Sequence, residues 1–332
     1  MAAPASWATF HNTFPKALYP QETHSEVYRG RQYSIGSTSK STTRSSLFNL
    51  GVYNLFPLQF ESNEDSHLFL APVDPLCLLT LLSVIDRDGL KLPTSSDVLV
   101  DSSSPHFNKK CSVSILSYQA ALDDQLPILI EDSINTEAKQ VLRKIHHSKL
   151  INTLNSSNLS NENELTFNLI NETLFDLYTL FLLDLDDETL LKYYSLFHYN
   201  YTETMQSITI LSKFFAKSVR LHLLKRNDFY VRNPDTFNYF SSVITPKYTK
   251  LAYQSERTKI INNGKELLSL LNSVLVTEKF WNGEKAGIVD FQIASYIYSF
   301  SYMSKYIPFF KELIDENNAL IRHNSDVLSS FI

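Results

Sequence analysis

The chain has 332 residues, 43% of them apolar and 13% aromatic, with a formal net charge of −5. That length and apolar content suit two ordinary domains or one large one, and the acidic balance leaves no electrostatic footprint for nucleic acid. Seven glycines disfavour phosphate-cradling loops and suit helices, while two cysteines, Cys77 and Cys111, are too few for a disulfide framework and fit a reducing compartment. No stretch approaches the ~20 apolar residues of a membrane span; the nearest, Phe291 to Phe310, is broken by Gln292, Lys305 and Pro308. The amino terminus lacks the apolar core of a signal peptide, and one lysine with no arginine in its first 25 residues argues against an amphipathic presequence.

Residues 1–46 read as a partly flexible arm ending in a Ser/Thr-rich tract from Ser34 to Ser46. Its Trp7, Phe10, Phe14, Leu18 and Tyr19 are more apolar than a spacer needs, so part of the arm is expected to dock on the body or a partner. Leu50 to Phe56 reads as a buried first strand. Asp74 is placed to cap a helix over Leu76 to Val84, with Pro75 at its first position and Asp88-Gly89 and Leu92-Pro93 as its stop. A polar loop from Thr94 to Lys110 follows, then alternation over Ser112 to Gln119 predicts a second strand. Leu126 to Asp132 predicts a third strand opened by Pro127. Ala138, Val141, Leu142 and Ile145 at helical spacing predict a helix from Thr136 to His146.

The Asn/Ser-rich residues 148–164 read as a surface linker. Beyond it the pattern is helical over about 165–184, 188–199, 203–226, 254–279, 287–306 and 309–330. Gly287 and Asp290 open the helix at 287 in a spacing that resembles a capping box with glycine in place of Ser or Thr. The organisation expected is thus an arm (1–46), a strand-and-helix domain (47–147), the linker (148–164) and an all-helical domain (165–332).

The blocks Thr13-Phe14-Pro15, Leu50-Gly51-Val52-Tyr53-Asn54, Asp74-Pro75-Leu76-Cys77-Leu78, Asp88-Gly89-Leu90, Leu92-Pro93-Thr94 and Leu126-Pro127-Ile128-Leu129 occur in that order. Ala216-Lys217-Ser218, Lys225-Arg226-Asn227 and Ile293-Ala294-Ser295-Tyr296 follow. In order and spacing they resemble the metaxin family, within the glutathione-transferase-like fold. The resemblance implies an α/β plus all-α chain: an amino-terminal thioredoxin-like domain followed by a helical bundle, with a cis bond before Pro127. It further implies a non-enzymatic peripheral subunit on the cytosolic face of the mitochondrial outer membrane, without a cofactor. Its expected partners are the membrane-embedded β-barrel subunit of the sorting and assembly complex, a second metaxin-like subunit and β-barrel precursor proteins.

The alternatives are a glutathione-transferase-like enzyme and a cytosolic scaffold of the same fold. Enzymes of that architecture carry a cysteine, serine or tyrosine at the first strand-to-helix junction, where the helix start tunes it. Here Asp74 puts an anion where a thiolate needs stabilising, and Cys77 is one turn into the helix. Thr136 could mimic the serine that such enzymes use but reads more simply as a cap, and Tyr53 reads as core. Adjacent His146 and His147 diverge too far to share an ion, and Asp184, Asp186, Asp187 and Glu188 read as a helix end and start. No catalytic, cofactor or metal residue is assigned; Asp74, Pro75, Pro127, Gly287 and Asp290 are structural. Lys213, Lys217 and Arg220 share one helix face, with Lys225 and Arg226 at its end. That basic face is either solvated or a docking site for anionic headgroups or acidic loops of the barrel subunit. An open strand edge, with Ser112 to Gln119 the stretch to probe, would suit an extended precursor segment.

Overall fold

The computed structural model describes residues 32–36, 46–58, 69–97, 111–121, 123–135, 140–156, 159–195, 209–242, 247–281 and 283–332. The apolar arm residues Trp7 to Tyr19, most of the polar loop before Lys110, and Thr136 and Ala138 lie outside them. The fold is mixed α/β: a small sheet in the first half and a set of helices in the second.

A five-stranded sheet has the order β1-β5-β2-β6-β7. Strand β2 (Ser46–Val52) is central, because Leu50 and Val52 are fully buried there. It runs parallel to β5 (Ser112–Ile115) and antiparallel to β6 (Ile128–Asn135). Parallel neighbours need a crossover, and α1 (Pro75–Asp88) lies in the connection. Every residue from Pro75 to Leu82 is buried, and α1 stops at Gly89, whose φ of 60° is a left-handed cap that suits glycine. β3 (Phe56–Pro57) and β4 (Leu70–Ala71) form a separate two-stranded ribbon.

The sheet ends differ from the sequence expectations. Short strand β1 (Gln32–Ser34), from the predicted arm, pairs antiparallel with β5. β5 is therefore paired on both sides over Ser112 to Ser114, and an extended guest has no free edge there. The helix predicted over Thr136 to His146 is wrong where the structure describes it. Gln140–His146 is strand β7, paired over seven residues with β6. A cross-strand ion pair of Arg143 with Asp132 at 2.8 Å supports that ladder, and His146 Nε2 lies 3.0 Å from the Glu131 carboxylate. The apparent helical spacing of Val141, Leu142 and Ile145 lost to that pairing, a tertiary term that outweighs local pattern. The predicted linker also contains helix α2 (Ser148–Ser156). The second strand stops at Ile115, and Ser117 caps a single 3₁₀ turn over Tyr118–Ala120.

The helical half is built on α3 (Asn161–Leu183), buried continuously from Leu174 to Leu183. α4 (Asp187–Tyr194) doubles back, so that the Tyr194 and Tyr178 hydroxyls are 3.1 Å apart. α5 (Thr209–Lys225) and a 3₁₀ turn lead into short helices α6 (Phe229–Arg232) and α7 (Pro234–Ser241), which the sequence pattern did not reveal. The long α8 (Lys247–Thr277) packs on α3 at Gly264, where an added Cβ would lie 2.7 Å from Leu177 Cδ2. α9 (Ile288–Met303) is buried on almost all sides and packs on α1 as well as α3. The predicted last helix is two, α10 (Pro308–Asp315) and α11 (Asn318–Ser329). One apolar core runs through both halves, from Leu50 and Leu78 to Phe175 and Phe310.

Candidate functional site

The strand-to-helix junction, where the sequence places any transferase chemistry, is filled by an ion pair. Asp74 Oδ1 accepts the Cys77 backbone N–H at 3.1 Å, with Pro75 at the first helical position, so the carboxylate caps α1. The same carboxylate receives both ends of the Arg226 guanidinium, Nη1 to Oδ2 at 2.6 Å and Nη2 to Oδ1 at 2.9 Å. Both side chains are within 2% of complete burial. Arg226 arrives from the turn after α5, 152 residues along the chain, so the pair fastens the helical half to the sheet half.

The surrounding groups complete the enclosure. Arg226 Nη2 also donates to the Leu126 carbonyl at 2.9 Å, beside the cis Leu126–Pro127 bond. Its guanidinium sits 4.9 Å from the Tyr53 ring centre and 5.6 Å from that of Phe175. Tyr194 OH donates to Asp74 Oδ2 at 3.2 Å, and Tyr53 OH lies 2.6 Å from His222 Nε2. His222 stacks on Tyr118 at 4.0 Å between ring centres, and Asn54 Nδ2 donates to the Lys192 and Tyr193 carbonyls. Three helices and two strand ends thus converge on one polar cluster.

Its electrostatics oppose nucleophilic chemistry. Burial, followed by the Asp74 charge, pushes the Cys77 thiol well above its ordinary range, and the side chain is fully enclosed. Thiolate formation, which reactive cysteines depend on, is suppressed. Burial likewise pushes the Tyr53 and Tyr194 hydroxyls well up. His222 is held well below the usual imidazole range by burial and then by the Arg226 charge, so it is neutral near pH 7. Burial pulls the Arg226 guanidinium down, but Asp74, with Tyr53 and Cys77 adding to it, more than offsets this and holds it well above its ordinary range. What remains is a fixed charge pair, in which both Asp74 oxygens and both terminal Arg226 nitrogens are bonded to neighbours and only the Arg226 Nε is left without a partner among the described residues.

The basic face predicted over Lys213, Lys217, Arg220, Lys225 and Arg226 divides. Arg226 cannot meet a partner, because it is inside the molecule. Arg220 turns inward too, donating from Nε to the Leu183 carbonyl at 3.1 Å and from Nη1 to Asp187 at 2.6 Å. Lys213, Lys217 and Lys225 stay exposed. The acidic run is structural: Asp186 caps α4 through the Thr189 N–H at 2.9 Å, Asp184 pairs with Arg257, and Asp187 with Arg220. His146 and His147 reach different carboxylates, and among the described residues no group of three metal-type side chains assembles.

At the other predicted structural pair, Asp290 Oδ2 accepts the Gly287 N–H at 2.9 Å, half of a capping box, since glycine has no side chain to return the bond. Its Oδ1 takes the Trp281 N–H at 2.7 Å and meets His323 Nε2 at 2.8 Å. Sequence reasoning found the two acids and missed their partners. Arg226, Tyr194, His222 and His323 carry no local signal, since contacts across 33 to 169 residues follow from the fold.

Comparison with known proteins bears on the whole chain. Residues 1–131, which run into β6, match the family model described as SAM35, subunit of SAM complex. The chain is 25% identical over 336 residues to the sorting assembly machinery 35 kDa subunit of Saccharomyces cerevisiae, covering 97% of this chain and 95% of that protein. By a match over residues 1–131 and an alignment along nearly its full length, the chain is similar to SAM35.

Proposed function

We propose that this chain is a non-enzymatic subunit of the mitochondrial outer-membrane sorting and assembly complex, where it helps receive and insert β-barrel precursors. The observation that carries the reading is the end-to-end likeness to the yeast 35 kDa subunit, which covers both the sheet half and the helices. The junction supports the non-enzymatic part: a fold that has filled its reactive corner with Asp74 and Arg226 retains shape and gives up the chemistry. The glutathione-transferase-like architecture, with a thioredoxin-like domain over 47–147 and a helical domain over 165–332, belongs to the same proposal. Its support is a central parallel β2–β5 pair with α1 in the connection, and an all-helical second half.

No described helix is long and apolar enough to cross a membrane, which fits peripheral attachment on the cytosolic side through the barrel subunit. A second metaxin-like subunit is the expected neighbour. With β5 covered by β1, the two edges of the described sheet are the three-residue β1 and the seven-residue β7, and the outer side of β7 is the longer one on which a precursor strand could add. Affinity purification of the tagged chain from mitochondria tests the reading: a β-barrel subunit is expected to co-purify, and the chain is expected to leave the membrane in alkaline carbonate. Recovery of the chain alone from intact, detergent-solubilised mitochondria would refute it.

A further inference from the structure

Two helices carry exposed cations, unpaired among the described residues, and outward-facing apolar side chains to one end of the molecule. α5 and α8 both run antiparallel to α3. On α5, Asn227 just past its end bonds Asn171, and Arg220 bonds the Leu183 carbonyl at the close of α3. On α8, Gly264 lies against Leu177, and Arg257 reaches Asp184. Beyond those contacts α5 continues back to Thr209 and α8 to Lys247. At 1.5 Å per residue, each projects about 15 Å past the end of α3. α4 does not follow, because it turns back towards Asp74.

On the α5 projection, Ala216, Val219 and Leu223 are the buried stripe, and Phe214 is opposite them, 69% exposed, between Lys213 and Lys217. On α8, Thr249 and Tyr253 face inward and Leu251 is opposite them, 59% exposed, with Tyr248 one turn before it and 75% exposed. Lys247 and Lys250 flank that pair. α5 contains no acid at all, and the first acid of α8 is Glu256, which is occupied by the Thr236 N–H and hydroxyl at 2.6 and 2.7 Å. On a chain of net charge −5, the described projecting ends carry lysines without acids, interleaved with aromatic and aliphatic tips, while the acidic run Asp184 to Glu188 lies at their base. That composition fits an anionic lipid surface: headgroups take the lysines and the interface takes the side chains.

We infer that the projecting ends of α5 and α8 form a docking surface for an anionic phospholipid bilayer, with Lys213, Lys217, Lys247 and Lys250 on the headgroups and Phe214, Tyr248 and Leu251 in the interface. The contact is the chain's own and needs no other subunit, so it stands or falls separately from membership of an assembly complex.

Vesicle flotation of the purified full chain tests it. Binding is expected on phosphatidylcholine vesicles containing phosphatidylinositol, with little on phosphatidylcholine alone, and it should weaken as salt is raised. K213E/K217E and K247E/K250E should each lower partitioning by about fivefold or more per lysine removed. F214S/L251S should lower it by about tenfold or more at unchanged charge. All three variants should keep the parent's circular dichroism and melting profile, and K311E, an exposed reversal on α10, should float like the parent. Equal binding to neutral vesicles, undiminished flotation of K213E/K217E and K247E/K250E, or capture by polyglutamate without flotation would each overturn the inference.

Discussion

Two buried aspartates, Asp74 and Asp290, both start a helix, yet their basic partners make them different devices. Asp74 caps α1 and holds Arg226 in a bidentate pair that joins the two halves. Asp290 takes the first N–H of α9 and meets His323 from α11, inside the helical half. Arginine does not shed its proton in a protein, so removal of either member of the first pair leaves a stranded charge. An imidazole can become neutral, so the second site tolerates the loss of its acid better. The cross-half fastening was built from the less forgiving chemistry.

The largest effect is expected from Arg226→Met, which strands the Asp74 carboxylate in the core and should cost about 3–5 kcal/mol in chemical denaturation. Adding Asp74→Asn should recover part of it, because asparagine still caps the helix and carries no charge. If the double variant is no more stable than the single, the pair is not the source of the cost. Asp290→Ala should cost about 2–3 kcal/mol, since the Gly287 and Trp281 N–H groups lose their acceptor. A loss equal to or above that of Arg226→Met would break the contrast between the two sites.

Next comes pH. His222 is held below its usual range when folded, whereas the unfolded imidazole titrates near about 6.5. The unfolded state therefore takes up the proton first. Stability should be flat above about pH 6.5, fall as pH drops below it, and level off only past the folded value. His222→Gln should remove that component of the slope, measured by urea midpoints across the range, and an unchanged slope would assign it elsewhere. The smallest effect is expected one residue before the arginine: Lys225→Ala, at an exposed position, should change stability by no more than about 0.5 kcal/mol. Neighbours in sequence thus bracket the range of consequences.

Legibility followed the range of the interactions. The start of α1 was readable at Asp74-Pro75 and its stop at Asp88-Gly89, because caps act within one turn. Helices α3, α5, α8 and α9 were visible in periodic apolar runs, with their ends displaced by a few residues. The strand at Gln140–His146 was misread, because its apolar spacing is compatible with a helix and only the β6 ladder decides. Small helices α6 and α7 were overlooked, since four and eight residues are too few to show a period. The basic stripe was correctly read as one helix face in spacing and wrongly as one surface: two of its five cations turn inward to acids and carbonyls of other elements.

By itself the sequence determined where α1 begins and ends, that the first strand-to-helix junction carries an acid in place of a nucleophile, and the ordered blocks behind the family likeness. Those properties reside in neighbouring residues and in composition. Only the tertiary structure decided what Asp74 does beyond capping, which lysines remain outside, and which sheet edge is closed. Each depends on a partner brought from far along the chain, and burial turns that meeting from a weak surface contact into a fixed one.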